Sequence, residues 1–84
     1  IRLTMIPIQT ADSLLFNKPA LITAIQTSPL TVKLLQLGCL PGKQITILRK
    51  AIGNSPIYVQ VGTLYLALRA EEAAQIIVET ELDK

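Results

Sequence analysis

A two-period run of aliphatic side chains, broken once by a two-residue turn, constrains this chain more than any other feature. Ile57, Val59 and Val61 fall on one face of an extended segment, with Tyr58 and Gln60 on the other. After Gly62-Thr63 comes Leu64-Tyr65-Leu66-Ala67-Leu68-Arg69, which places its three leucines on a single face. A glycine at the first position of a two-residue loop accepts positive φ without a Cβ penalty, so the pair predicts a tight hairpin. The same period appears upstream. Ile45 and Ile47 alternate with Gln44, Thr46 and Leu48, which predicts a strand over about Lys43 to Lys50, and Ile52-Gly53-Asn54-Ser55-Pro56 reads as the loop joining it to the hairpin.

A period of three to four takes over in Thr27-Ser28-Pro29-Leu30-Thr31-Val32-Lys33-Leu34-Leu35-Gln36-Leu37. Ser28 is expected as N-cap, Pro29 as the first helical residue, and Leu30, Leu34 and Leu37 as one apolar stripe. Gly38 is expected to end the helix in the left-handed conformation, and Pro41-Gly42 to make the turn into the next strand. Leu21 to Ile25 reads as an opening strand, Ala70 to Gln75 as a helical turn with glutamates at its positive end, and Ile76 to Glu81 as a closing strand. Five short strands, one inserted helix and one helical turn before the last strand predict a mainly β chain folded as a small closed barrel, since closure removes exposed edges. Residues 1–11 are expected to form an N-terminal extension and residues 12–84 the domain.

Composition narrows the function classes. Half of the 84 residues are hydrophobic, which excludes a disordered chain, yet no apolar run approaches the roughly 20 residues of a membrane span. One cysteine and no histidine exclude an internal disulfide, the usual nitrogen–sulfur zinc sites and histidine-based catalysis. A reducing compartment is therefore expected. From Ser13 to Ala70 there is no acidic residue against six basic ones, whereas Glu71 to Lys84 is acidic. Such asymmetry fits an anionic partner face for the body of the domain.

The order of these signals resembles a known family. Leu34-Leu35-Gln36-Leu37-Gly38-Cys39-Leu40-Pro41-Gly42-Lys43 is similar to the "leucine-rich helix, LGL-x-PG" element of the ferrous iron transport protein A (FeoA) family. Ser55-Pro56-Ile57-Tyr58-Val59-Gln60-Val61-Gly62, followed by Leu64-Tyr65-Leu66-Ala67-Leu68-Arg69-Ala70-Glu71-Glu72-Ala73, resembles its "P-I-x-V-x-V-x-G … ALR-x-x-EA" element. With Ala20 to Ile25, the likeness covers roughly residues 12 to 81. Cys39 stands where an aliphatic residue is common and Ala20 where glycine is frequent. The resemblance implies an SH3-like barrel, a cytoplasmic place and a non-enzymatic role as accessory to the membrane ferrous iron transporter FeoB. It also implies transition metal ion binding at the level of the family. The same barrel occurs as a terminal domain of metal-dependent repressors, which makes a detached domain of that kind an alternative.

Candidate residues follow from both readings. Leu34, Leu37 and Leu40 are expected to plug one end of the barrel, with Gly38, Gly42 and Gly62 at its reversals and Arg69 pairing or capping near the helical turn. Lys33, Leu35, Leu40, Pro41, Lys43, Arg49 and Lys50 are the expected partner contacts, and Leu14, Leu15, Phe16 and Ile52 are further apolar candidates. The partner would be the cytosolic portion of the transporter, with self-association as a second use of apolar surface and membrane contact only through the partner. Cys39 reads as a small hydrophobe, and Glu79, Glu81 and Asp83 as a solvated face and not a metal site. No cofactor is expected. Ser13, Ser28 and Ser55 lack a histidine base, so no catalytic residue is expected. A nucleic-acid-binding barrel is an alternative resting on Lys43, Arg49 and Lys50 with Tyr58 and Tyr65, but three aromatics and so sparse a basic stripe argue against it.

Overall fold

Each change of period in the sequence becomes a change of element. A computed structural model describes residues 9–80. The two-period runs form β3 (Gln44–Lys50), β4 (Ile57–Val61) and β5 (Leu64–Leu68), with β2 (Ala20–Ile25) before them and β6 (Ile76–Glu79) after. Val61 pairs with Leu64 across Gly62-Thr63, so the hairpin turn is the tight one expected. Helix α1 (Thr31–Leu37) lies between β2 and β3, and the short α2 (Ala70–Ala73) between β5 and β6.

Among the described residues the sheet carries six strands, one more than the five expected. Gln9 and Thr10, in the segment assigned to an extension, form β1 and pair antiparallel with Val78 and Ile77 of β6. The hydrogen-bonded order is β1-β6-β2-β3-β4-β5, every neighbouring pair antiparallel. Among the described residues this order leaves β1 and β5 as edges, so hydrogen bonding does not close the expected ring. Bulges between Ile22 and Ala24 and between Ile47 and Arg49 bend β2 and β3, which lets one sheet wrap around its own apolar face. Ile22, Ile45, Ile47, Ile57, Val59, Val61, Leu68 and Ile76 fill that interior almost without exposure. The fold is the SH3-like, mainly β architecture expected of the chain.

Helix α1 begins later than its start signals suggest. Ser28 Oγ accepts the Leu30 amide at 3.0 Å, and Thr31 Oγ1 accepts the Ser28 amide at 2.8 Å. Ser28 thus closes a polar turn around Pro29 instead of capping the helix, and the helical ladder opens at Thr31. Gly38 ends it at φ 102°. The Lys43 amide donates to the Leu40 carbonyl at 3.1 Å, with Gly42 at φ 95°, as a turn with proline first and glycine second requires.

Candidate functional site

Leu34 is fully buried and Leu37 packs half-buried against the core, but Leu40 is 41% exposed. The third place in the expected plug belongs to Cys39, which is fully enclosed. The Pro41-Gly42 reversal forces this exchange. It turns the chain immediately after Leu40, leaving the cysteine inward and the leucine outward. Burial pushes the Cys39 thiol up to about 11, and the nearby Glu72 carboxylate acts in the same direction. A thiol held so firmly protonated serves as a small apolar filler.

The seven expected partner contacts fall into three places. Leu35, Leu40, Pro41 and Lys43 surround the C-terminal end of α1 and the turn after it. Leu64 joins them, because its Cδ1 lies 3.0 Å from where a Cβ on Gly38 would stand. Lys43 lies alongside Gly62, 3.7 Å from the Cβ position of that glycine. The C-terminus of α1, the Pro41-Gly42 turn and the β4–β5 turn therefore share one end of the barrel. Leu35, Leu40 and Leu64 are 38%, 41% and 50% exposed there, beside one ammonium. Val32, on the exposed side of α1, is one helical turn from Leu35. Leu64 escaped the sequence reading because alternation only groups it with Leu66 and Leu68 on one face and carries no sign of its contact with the helix end. The close approach of Gly38 lifts it over the helix end.

Arg49 and Lys50 sit at the opposite end of β3, roughly 20 Å from Lys43 at the usual rise of a strand. Arg49 stacks over the Tyr58 ring at 4.6 Å. Lys50 Nζ donates to the Asp12 carbonyl at 2.8 Å and lies 6.0 Å from the Phe16 ring. These two cations are spent on their own fold and do not extend the basic character of the leucine end. Of the other apolar candidates, Leu14 is buried in the core, while Leu15, Phe16 and Ile52 are exposed away from this surface.

Lys33 has a structural partner. Its ammonium pairs with Glu72, a carboxylate buried to 4% exposure, while the lysine side chain remains 55% exposed. The other Glu72 oxygen accepts the Arg69 amide at 2.8 Å, capping α2. Burial by itself would raise the Glu72 carboxyl. The Lys33 hydrogen bond, the Arg69 amide and the two positive charges outweigh it and hold the carboxyl below its ordinary range. One carboxylate thus ties α1 to α2. Arg69 contributes its backbone to this cap, and its guanidinium only reaches Glu71 at 4.0 Å on the surface.

Among the described residues no three His, Cys, Asp or Glu side chains gather into a group. Cys39 is enclosed by apolar neighbours, Glu72 is engaged by Lys33, and Glu79 is exposed. Glu81 and Asp83 lie outside the described residues. Among these residues, too, no helix is long and apolar enough to cross a membrane.

Comparison with known proteins agrees with this fold. No curated protein matches the sequence. Among solved structures, iron(II) transport protein A from Clostridium thermocellum is 33% identical, with a TM-score of 0.79 over 86% of this chain. The match spans 45% of that protein, so this chain accounts for less than half of its length. A FeoA-like protein from Clostridium acetobutylicum is 25% identical with a TM-score of 0.84, over 95% of this chain and 94% of that one. FeoA of Stenotrophomonas maltophilia, solved with zinc and described as a prokaryotic SH3 domain protein, is 28% identical. Its TM-score is 0.75, over 84% of this chain and 89% of that one. The FeoA domain model itself matches residues 13–80, from the turn before β2 to the end of β6. With the capped leucine helix, the Pro-Gly turn and the hairpin all inside that span, the chain belongs to the FeoA domain family.

Proposed function

We propose that this chain is a non-catalytic interaction module of bacterial ferrous iron uptake. It binds the cytosolic portion of the ferrous iron transporter, FeoB, and modulates transport from the cytoplasmic side. Family membership supports the pathway, and the Stenotrophomonas relative is described as a candidate ferrous iron transport activating factor. The observation that carries the contact surface is the apolar end formed by Leu35, Leu40 and Leu64 with Lys43 at its rim. Exposed leucines brought together from a helix end and two turns have nothing to bind chemically, but they suit a desolvated protein contact. Ferrous iron is the cargo of the transporter in this reading.

The basic residues argue for a protein partner over nucleic acid. A backbone-tracking groove needs a continuous stripe of cations. Here Lys43 is isolated at one end, Lys50 is bound to the Asp12 carbonyl, and Lys33 is bound to Glu72.

Capture of the purified cytosolic portion of the transporter tests the proposal, with Leu40→Glu and Lys43→Glu compared to wild type. Both positions are exposed, so both variants keep their circular dichroism and melting behaviour. Leu40→Glu is expected to weaken capture by about tenfold or more, as removal of a central apolar contact does. Lys43→Glu is expected to slow association in a salt-dependent way. Equal capture by all three proteins eliminates this surface.

A further inference from the structure

We infer that two copies of this chain pair through the free edge of β5, antiparallel and centred on Leu66, so that the sheet continues across a two-fold axis. β5 ends the sheet. Val61 and Leu64 flank a two-residue turn, which makes them a hydrogen-bonded pair. By alternation, Leu64, Leu66 and Leu68 exchange bonds with β4, and the amides and carbonyls of Tyr65 and Ala67 point away from it. No backbone group among the described residues takes them up. Natural edges are blunted by charge, proline, a bulge or extreme shortness. Of the other edge, β1, two residues are described, Gln9 and Thr10. Leu64–Leu68 is five residues long, carries no charge or proline, and keeps unbroken register with β4.

A second copy fits this edge because the edge is complementary to itself. In an antiparallel pair the partners of a hydrogen-bonded position exchange two bonds. Setting Tyr65 against Ala67 of the second copy, and Ala67 against its Tyr65, satisfies all the free groups with four bonds. Leu66 then faces Leu66 on the two-fold axis. Each large ring, 72% exposed in the single chain, meets a small methyl. On the outer face the row becomes Arg49, Tyr58, Ala67 and then Tyr65 of the second copy, extending the Arg49–Tyr58 stack already present. Arg69 falls opposite Thr63 of the second copy, so no like charges meet. Centring the pair on Tyr65 instead would oppose two rings and run Ala67 against the turn residue Thr63. One short strand edge buries less than the roughly 800 Å² per partner of a standard interface, so the pairing is weak and is expected to show only at high protein concentration.

Sedimentation equilibrium of the full chain between about 10 µM and 1 mM, with amide exchange followed at Tyr65 and Ala67, tests this pairing. The expected result is a monomer–dimer equilibrium in which these two amides become protected as concentration rises. Tyr65→Lys/Ala67→Lys opposes lysines twice across the axis and is expected to be monomeric, as is Tyr65→Glu/Ala67→Glu. Mixing the two restores the dimer as a heterodimer, which no loss of folding would allow. A wild type that stays monomeric at 1 mM overturns the proposal. So does a dimer that survives the double lysine substitution, or charged variants that fail to pair when mixed.

Discussion

Removing the Glu72 carboxylate is the sharpest probe of how this small fold is held together. It accepts the Arg69 amide that caps α2 and the ammonium of Lys33 that holds α1. The cap contributes about 1 kcal/mol. The ion pair contributes less than a fully buried one would, about 1 kcal/mol, because the Lys33 side chain is 55% exposed to screening solvent. Glu72→Ala is therefore expected to cost about 2 kcal/mol, or roughly 8–16 °C in Tm for a chain of this size. The carboxyl ionises in the folded chain below its ordinary value of 4.5. Its contribution is thus complete above that value and disappears as pH falls through the lower, folded one. Urea unfolding of wild type and Glu72→Ala at a series of pH values from 7 to 3 measures both effects. The gap between the two proteins is expected to be widest at neutral pH and to narrow below pH 4.5. A gap under about 0.5 kcal/mol at pH 7, or one that does not change with pH, would refute the assignment of Glu72 as the tie between the helices.

Three further outcomes follow from the same packing. Gly38→Ala places a Cβ at φ 102° and 3.0 Å from Leu64 Cδ1, and is expected to cost about 2–3 kcal/mol in urea unfolding. Adding Leu64→Ala should recover only the part due to the clash. Leu34→Ala empties the centre of the plug and is expected to cost about 2–4 kcal/mol by the same measurement. Cys39, enclosed and with its thiol pushed up to about 11, is expected to resist thiol reagents at pH 8 until the chain unfolds, with labelling and unfolding tracking one another in denaturant.

How much of this was legible in the sequence depended on the distance over which each interaction acts. The β4–β5 hairpin, the Gly38 cap and the Pro41-Gly42 turn are decided within four residues, and the sequence states them clearly. The start of α1 was misplaced because Ser28 has two local options, cap or turn, and Pro29 suits both. Strand β1 was missed because Gln9 and Thr10 have no alternation to show, and what orders them is pairing with Ile77 and Val78 at the far end of the chain. The tie between Lys33 and Glu72, 39 residues apart, leaves no local trace either, so Lys33 looked like a free surface cation. The expected contact set was split for a simple geometric reason. Lys43 and Lys50 bracket one strand, and a strand carries its two ends far apart.

Fold and family were readable because turns and alternation carry them. The proposed contact surface was readable only in part, since Leu64 reaches it through packing against a glycine and Leu40 through the turn that follows it. Cys39 illustrates the converse. The residue that departs from the family's aliphatic pattern occupies a core position where a protonated thiol does the work of a methyl group.

The claim on which the functional reading depends is that this barrel acts by touching a protein and not by holding an ion. Paired calorimetric titrations address it directly, one with the cytosolic portion of FeoB and one with ferrous iron under anaerobic conditions. Saturable heat with the protein and none with the metal is the predicted pattern. Stoichiometric uptake of iron by the isolated chain, without heat from the protein, would contradict it.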